Sequence, residues 1–182
     1  MKILEKLQKR LQEGKKDNKG FSLVELIIVI AIMAILVGIV GMNVIPQIEN
    51  SRKATDVQVL SAICTEALEA YTQETYASGK FTIAIAVKAD GTFDTISVTP
   101  NGGTAVSCAA SAAASSITDT SNAGKLLAKF VELGSNGSRK LKSNAGKALT
   151  GTGGGITIEL TDDTTKVPVT LKATGFDTIE VR

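Results

Sequence analysis

Lys19-Gly20-Phe21-Ser22-Leu23-Val24-Glu25-Leu26-Ile27-Ile28-Val29-Ile30-Ala31-Ile32 is the stretch that decides how this chain is read. A basic residue, a glycine and an aromatic lead straight into aliphatic side chains, and a single carboxylate interrupts them. From Leu26 to Met42, seventeen residues carry no charged or strongly polar side chain. At 1.5 Å per residue they make about 25 Å of helix, just short of the ~30 Å hydrocarbon thickness of a bilayer. Extended to Phe21 and Ile48, the segment is long enough to cross, with Glu25 as its only charge. The expectation is a membrane-spanning helix.

Flanking charge sets its direction. Lys15, Lys16 and Lys19 stand just before the span, whereas Arg52 and Lys53 beyond it are balanced by Glu49 and Asp56. The basic side stays in the cytoplasm, so everything after the helix is expected outside it. Leu4, Leu7 and Leu11 recur at helical spacing among the leader lysines, which suits a short amphipathic stretch on the inner membrane surface. A secretory signal would be cut after its apolar core at a small-x-small site. Between Val40 and Asn50 only Val40-Gly41-Met42 comes near one, and it fits poorly. The conspicuous small residue, Gly20, precedes the apolar run instead.

The formal charge of +2 conceals an asymmetry. Residues 1–20 hold seven Lys or Arg against three acids, a net of +4, so the remainder carries −2. Without the leader, the chain has no bulk attraction for nucleic acid. The absence of histidine removes the commonest general base and the commonest transition-metal ligand.

The Lys19–Ile32 run resembles the prepilin signature of type IV pilins and their pseudopilin relatives. The likeness is close over about 14 residues and looser over the first 75 or so. It implies that residues 1–20 are a cytosolic leader removed between Gly20 and Phe21 by a prepilin peptidase, which also methylates the new amine of Phe21. It implies that residues 21–48 form the transmembrane and assembly helix. There Glu25, costly in a membrane unless partnered, meets the Phe21 amine of a neighbouring subunit. Residues 49–182 then hold the amphipathic half of the helix and an extracellular domain. The implied partners are other copies of the chain in a homopolymer, the peptidase/methyltransferase, an assembly platform in the inner membrane, and that membrane itself before assembly. A twenty-residue leader ahead of Phe points by the same resemblance to a Gram-positive host. Many relatives have proline where this chain has Met42; here Gly38, Gly41 and Pro46 mark either a weak stretch of helix or ordinary small-residue packing.

Beyond Pro46 the helix is expected to run to about Ala77, with Val57, Leu60, Cys64, Leu68 and Tyr71 on its apolar stripe and Gly79 at its end. Phe81–Val87 alternates like a half-buried strand, Asp90-Gly91 turns it, and Phe93–Thr99 returns. Ile156–Leu160, Lys166–Lys172 and Thr178–Val181 read as further strands, with Pro168 placing the second at an edge or giving it an irregular start. The expected fold class is α+β, a long helix on an antiparallel sheet. Between the strands, Ala109–Ala114 and Lys125–Leu133 suit short helices. Ser121-Asn122-Ala123-Gly124-Lys125 returns as Ser143-Asn144-Ala145-Gly146-Lys147, a coincidence of common residues or two similar helix starts.

Cys64 and Cys108 are expected to form one disulfide in an exported domain, the alternative being two unpaired small apolar residues. Gly151–Gly155 lacks the following Lys-Ser/Thr of a phosphate loop and reads as a connection. Asp162-Asp163 suits a β-turn, with a calcium loop as the alternative. Asn136-Gly137-Ser138 matches a glycosylation acceptor but also a turn. No catalytic constellation, metal site or cofactor is expected, and the chain reads as a structural protein. Its expected role is a pilus subunit, the major one by length and insertion size, serving adhesion, aggregation or surface motility. The alternative is a pseudopilin of a type II secretion or DNA-uptake apparatus.

Overall fold

The computed structural model describes residues 21–73, 79–134, 139–150, 155–162 and 168–181. Its elements are α1 (Leu23–Gln73), β1 (Phe81–Val87), β2 (Phe93–Pro100), β3 (Val106–Ala109), a 3-10 turn (Ala114–Ser116), α2 (Asn122–Leu133), a single turn α3 (Asn144–Lys147), β4 (Ile156–Leu160), β5 (Val169–Ala173) and β6 (Ile179–Val181). The fold is α+β. Contacts divide it into two units at Ile45/Pro46.

In the first unit, α1 is continuous through Gly38 and Gly41. Uninterrupted aliphatic side chains favour helix, and in a bilayer a helix satisfies its own backbone. Pro46 lies inside the helix and offers no N–H to the carbonyl four residues earlier, that of Met42. Nearby, the Asn43 side-chain amide donates to the Ile39 carbonyl at 3.1 Å.

In the second unit, α1 buries Asp56, Leu60, Ile63, Cys64, Ala67, Ala70 and Tyr71, the three- and four-residue steps of one helix face. The expected stripe was therefore rotated. Leu60, Cys64 and Tyr71 lie in the core, but Val57 is exposed and Leu68 half-buried. Ile63 and two alanines take their places. The small alanines let the helix lie close to the sheet, where its stripe joins one core with Ile83, Ile85, Ile96, Val98, Ile156, Ile158 and Leu171. Tyr71 meets Phe81 edge-on at 6.2 Å and donates its hydroxyl to the Gly79 carbonyl at 2.7 Å. Gly79 has φ +110, a conformation open to glycine. The expected helix end near Ala77 lies outside the described residues.

The sheet is antiparallel throughout, in the order β3-β2-β1-β4-β5-β6. β1 and β4 begin and end where the alternation predicts. The β1–β2 turn is the expected one: Gly91 has φ +88, and the Asp90 carboxylate accepts from the Thr92 amide and hydroxyl. β5 is interior, not an edge, and Pro168 stands immediately before it, its carbonyl accepting from Thr161 N–H. Lys166 and Val167 lie outside the described residues.

The alanine-rich stretch Ala109–Ala114 does not form the expected helix. Val106–Ala109 instead pairs with β2, Ile96 opposite Cys108 and Val98 opposite Val106. Only the 3-10 turn follows. Alanine is the best helix former, but propensity is a weak prior, and pairing with the edge of β2 overrides it at the start of the stretch. α2 packs on β2 and β3, burying Leu126, Leu127 and Phe130.

Candidate functional site

The site the sequence singles out is the start of α1. The Ser22 carbonyl accepts the first helical bond, from Leu26 N–H at 3.1 Å. Glu25 stands in the first turn, where the helix dipole favours a carboxylate. Phe21 is 83% exposed, and every large apolar side chain from Leu23 to Ile48 is exposed as well. An apolar surface of this length is not stable in water; it requires lipid or other helices. Glu25 therefore lies four residues from the position where cleavage would free an amine, at the end of a surface that must be covered. Gly20 and the rest of the leader lie outside the described residues.

A second constellation, which the sequence did not announce, anchors the other half of α1. Three of its carboxylates hold residues 139–147. Glu66 makes a two-pronged ion pair with Arg139, the Nη1–Oε2 arm at 2.8 Å and the Nη2–Oε1 arm closer. Asp56 is fully buried; its Oδ1 accepts from Lys142 N–H at 2.8 Å, and its Oδ2 accepts from Ser143 N–H at 2.8 Å and Ser143 O–H at 2.5 Å. Glu49 accepts from Asn144 N–H. From the hairpin side, Leu141 N–H donates to the Gly91 carbonyl at 2.9 Å. The segment is thus a strap between helix and hairpin. Asp56 was expected to offset Arg52 and Lys53 at the surface; it serves as a buried acceptor instead. The only advance signal was its place four residues before Leu60, in phase with the buried face.

The repeated pentapeptide opens a helix both times. Ser121 Oγ accepts from Gly124 N–H at 3.1 Å, and Ser143 Oγ from Gly146 N–H at 3.0 Å, a side-chain cap that satisfies an otherwise unpaired N–H at the helix start. Each serine amide also reaches an aspartate, Asp119 in the first copy at 2.7 Å and Asp56 in the second. Each glycine is needed for close approach. A Cβ on Gly124 would stand 2.3 Å from the Asp119 carbonyl oxygen, and one on Gly146 would stand 2.6 Å from Leu141 Cβ and 2.7 Å from Asp56 Oδ2.

The expected bridge between Cys64 and Cys108 is not formed. Both are free thiols, Cys64 buried on α1 and Cys108 half-buried on the edge strand β3. That edge lies against α2, and Cys108 packs at the margin of the core that holds Cys64. Burial pushes the Cys64 thiol up to about 11 and raises that of Cys108, so both act as small apolar groups.

Asp162 is engaged in the fold: its Oδ2 accepts from Gly79 N–H at 3.0 Å. Asp163, Asn136-Gly137-Ser138 and residues 151–154 lie outside the described residues. Among the described residues, no three His, Cys, Asp or Glu side chains gather as metal ligands.

Comparison with known proteins adds one finding. Residues 15–41 match the family model of the prokaryotic N-terminal methylation motif. No curated protein and no solved structure matches the chain. The matched residues span the expected cleavage point, Phe21, Glu25 and most of the apolar run. The motif implies processing by a prepilin peptidase, and with the exposed apolar helix behind it the match is consistent with an inner-membrane precursor.

Proposed function

We propose that this chain is the precursor of a structural subunit, the major pilin, of a type IV pilus serving adhesion, aggregation or surface motility. Peptidase cleavage between Gly20 and Phe21 removes the cytosolic leader, and methylation of the Phe21 amine keeps its charge while making it more apolar. The subunit waits in the cytoplasmic membrane with its C-terminal domain outside. During assembly, the Phe21 amine of one copy pairs with Glu25 of another, offsetting the cost of a carboxylate among apolar side chains. The remaining helix surface is covered by the helices of neighbouring copies.

The observation that carries this reading is the matched motif at the head of an exposed apolar helix. The apolar helix alone would suit a simple anchor; a carboxylate four residues past the Phe21 of a Lys-Gly-Phe junction would not.

N-terminal mass analysis of protein sheared from cells tests it. The expected product starts at Phe21 and carries one N-methyl group. A start beyond Val40, or Met1 retained in surface fibres, would overturn the reading. Long fibres labelled by antibody in electron microscopy distinguish a pilus from a short pseudopilin assembly.

A further inference from the structure

We propose that Asn101 is a site of spontaneous covalent modification, at which the chain converts its own asparagine to aspartate or isoaspartate. Asparagine precedes glycine twice in the sequence, at Asn101-Gly102 and Asn136-Gly137, and the second pair lies outside the described residues. The first pair forms the two corners of the turn that leaves β2. Gly103 N–H donates to the Pro100 carbonyl at 3.1 Å across that turn. Gly102 has φ +78, and Asn101, like every described non-glycine residue, has no positive φ. Those are the marks of a type II turn.

The β1–β2 turn offers the contrast. There Gly91 is buried, its N–H donates to the Lys88 carbonyl at 2.8 Å, and the Asp90 carboxylate accepts twice from Thr92. A Cβ on Gly91 would stand 2.1 Å from the Leu141 carbonyl oxygen. Asn101-Gly102 has none of these restraints. Both residues are exposed, and among the described residues neither the Asn101 side-chain amide nor Gly102 N–H has a hydrogen-bond partner. A Cβ on Gly102 would meet nothing within 4 Å. The peptide group between the two residues is thus free to turn over, from type II towards type I, with the Gly103–Pro100 bond intact. Part-way through that rotation Gly102 N faces Cγ of the Asn101 side chain.

Gly102 N then gives its proton to water and bonds to Cγ, while the Cγ–Nδ2 bond breaks and the nitrogen takes up a proton and leaves as ammonia. The product is a five-membered cyclic imide, which water opens. Addition at Cγ restores the backbone with an aspartate; addition at the backbone carbonyl carbon routes the chain through Cβ and Cγ as isoaspartate. Nothing is oxidised or reduced. Each event adds one negative charge to a chain whose residues beyond the leader total −2. The new carboxylate borders a cavity shared with Lys80 and with Ser121 and Asn122 at the start of α2, where the lysine and the helix dipole both favour an anion.

Peptide mapping of the full chain in detergent, with fragmentation that separates aspartate from isoaspartate, tests this after warm incubation at neutral and mildly alkaline pH. The peptide carrying Asn101 should gain about 1 Da at that residue, faster at the higher pH because the attacking amide must lose its proton. Its rate should lie within about tenfold of that in the denatured chain, because an exposed turn opens at little cost. Asp90-Gly91 should isomerise at least about tenfold more slowly folded than denatured. Asn101→Gln should keep its side-chain amide over the same interval. An Asn101 amide that lasts as long in the folded chain as that of Asn122, inside α2, would overturn the proposal. So would an aspartate product without isoaspartate, since direct hydrolysis makes only the former.

Discussion

Replacing Asp56 by alanine removes an acceptor that three buried or half-buried donors share: Lys142 N–H, Ser143 N–H and Ser143 O–H. Hydrogen bonds to a charged group contribute about 1.5–3 kcal/mol each, and each orphaned buried donor costs about 1–3 kcal/mol. Against this stands the relief of no longer burying a carboxylate, which amounts to several kcal/mol. The serine hydroxyl still caps Gly146 and keeps part of the turn. The balance is a loss of about 3–5 kcal/mol, within the range for breaking a buried charged contact from one side. At roughly 3–4 °C per kcal/mol for a domain of this size, the melting point should fall by about 10–20 °C. Thermal unfolding of the full chain in detergent, followed by circular dichroism at wavelengths where the sheet contributes, measures it. Asp119→Ala supplies the comparison, since that aspartate accepts from Ser121 in the same pentapeptide but at an exposed site, and its shift should be markedly smaller. Equal shifts in the two variants, or a fall under about 3 °C for Asp56→Ala, would refute the view that the strap is held by a buried acid.

Glu25→Ala should leave the amount of membrane-inserted precursor unchanged while sharply reducing sheared fibres, as fractionation would show; normal fibre yield removes the proposed pairing with the Phe21 amine. Alkylation without prior reduction should modify Cys108 slowly and Cys64 only after unfolding, because Cys64 is fully buried and its thiol is pushed up to about 11. Protein that resists alkylation even when unfolded, until a reductant is added, would show a bridge absent from this structure.

Much of the architecture was legible because two periods were strong. The apolar run fixes the first half of α1 by length alone, and the alternations of Phe81–Val87 and Ile156–Leu160 fix two strands to the residue. The edge strand β3 was not legible: Val106–Ala109 is only four residues long and borders alanines, and what makes it a strand is the free edge of β2, a partner local composition does not reveal. The rotated stripe on α1 has a related cause. Val57 and Leu68 are the more apolar choices, but Ala67 and Ala70 allow the closer approach, and size matters more than transfer energy where helix meets sheet. Phe21 and Glu25 were legible as a motif, one whose chemistry depends on a cut and on a second subunit. Asp56 was hidden because its donors lie 86 and 87 residues further along the chain, and an acid just after Arg52 and Lys53 looks like ordinary surface charge.

The strap has a temporal side as well. Its partners are 73, 87 and 95 residues apart in sequence, so α1 emerges from the ribosome long before residues 139–147 exist. Contacts this distant form late and slow the search for the native state. Until they form, a buried-type carboxylate and an ion-pair acid wait unpartnered on a helix whose leading part already belongs in the membrane. A chain that stops short of residue 139 would thus resemble the finished protein in its membrane segment and differ from it in the durability of its outer half, a difference that proteases at the membrane surface can read.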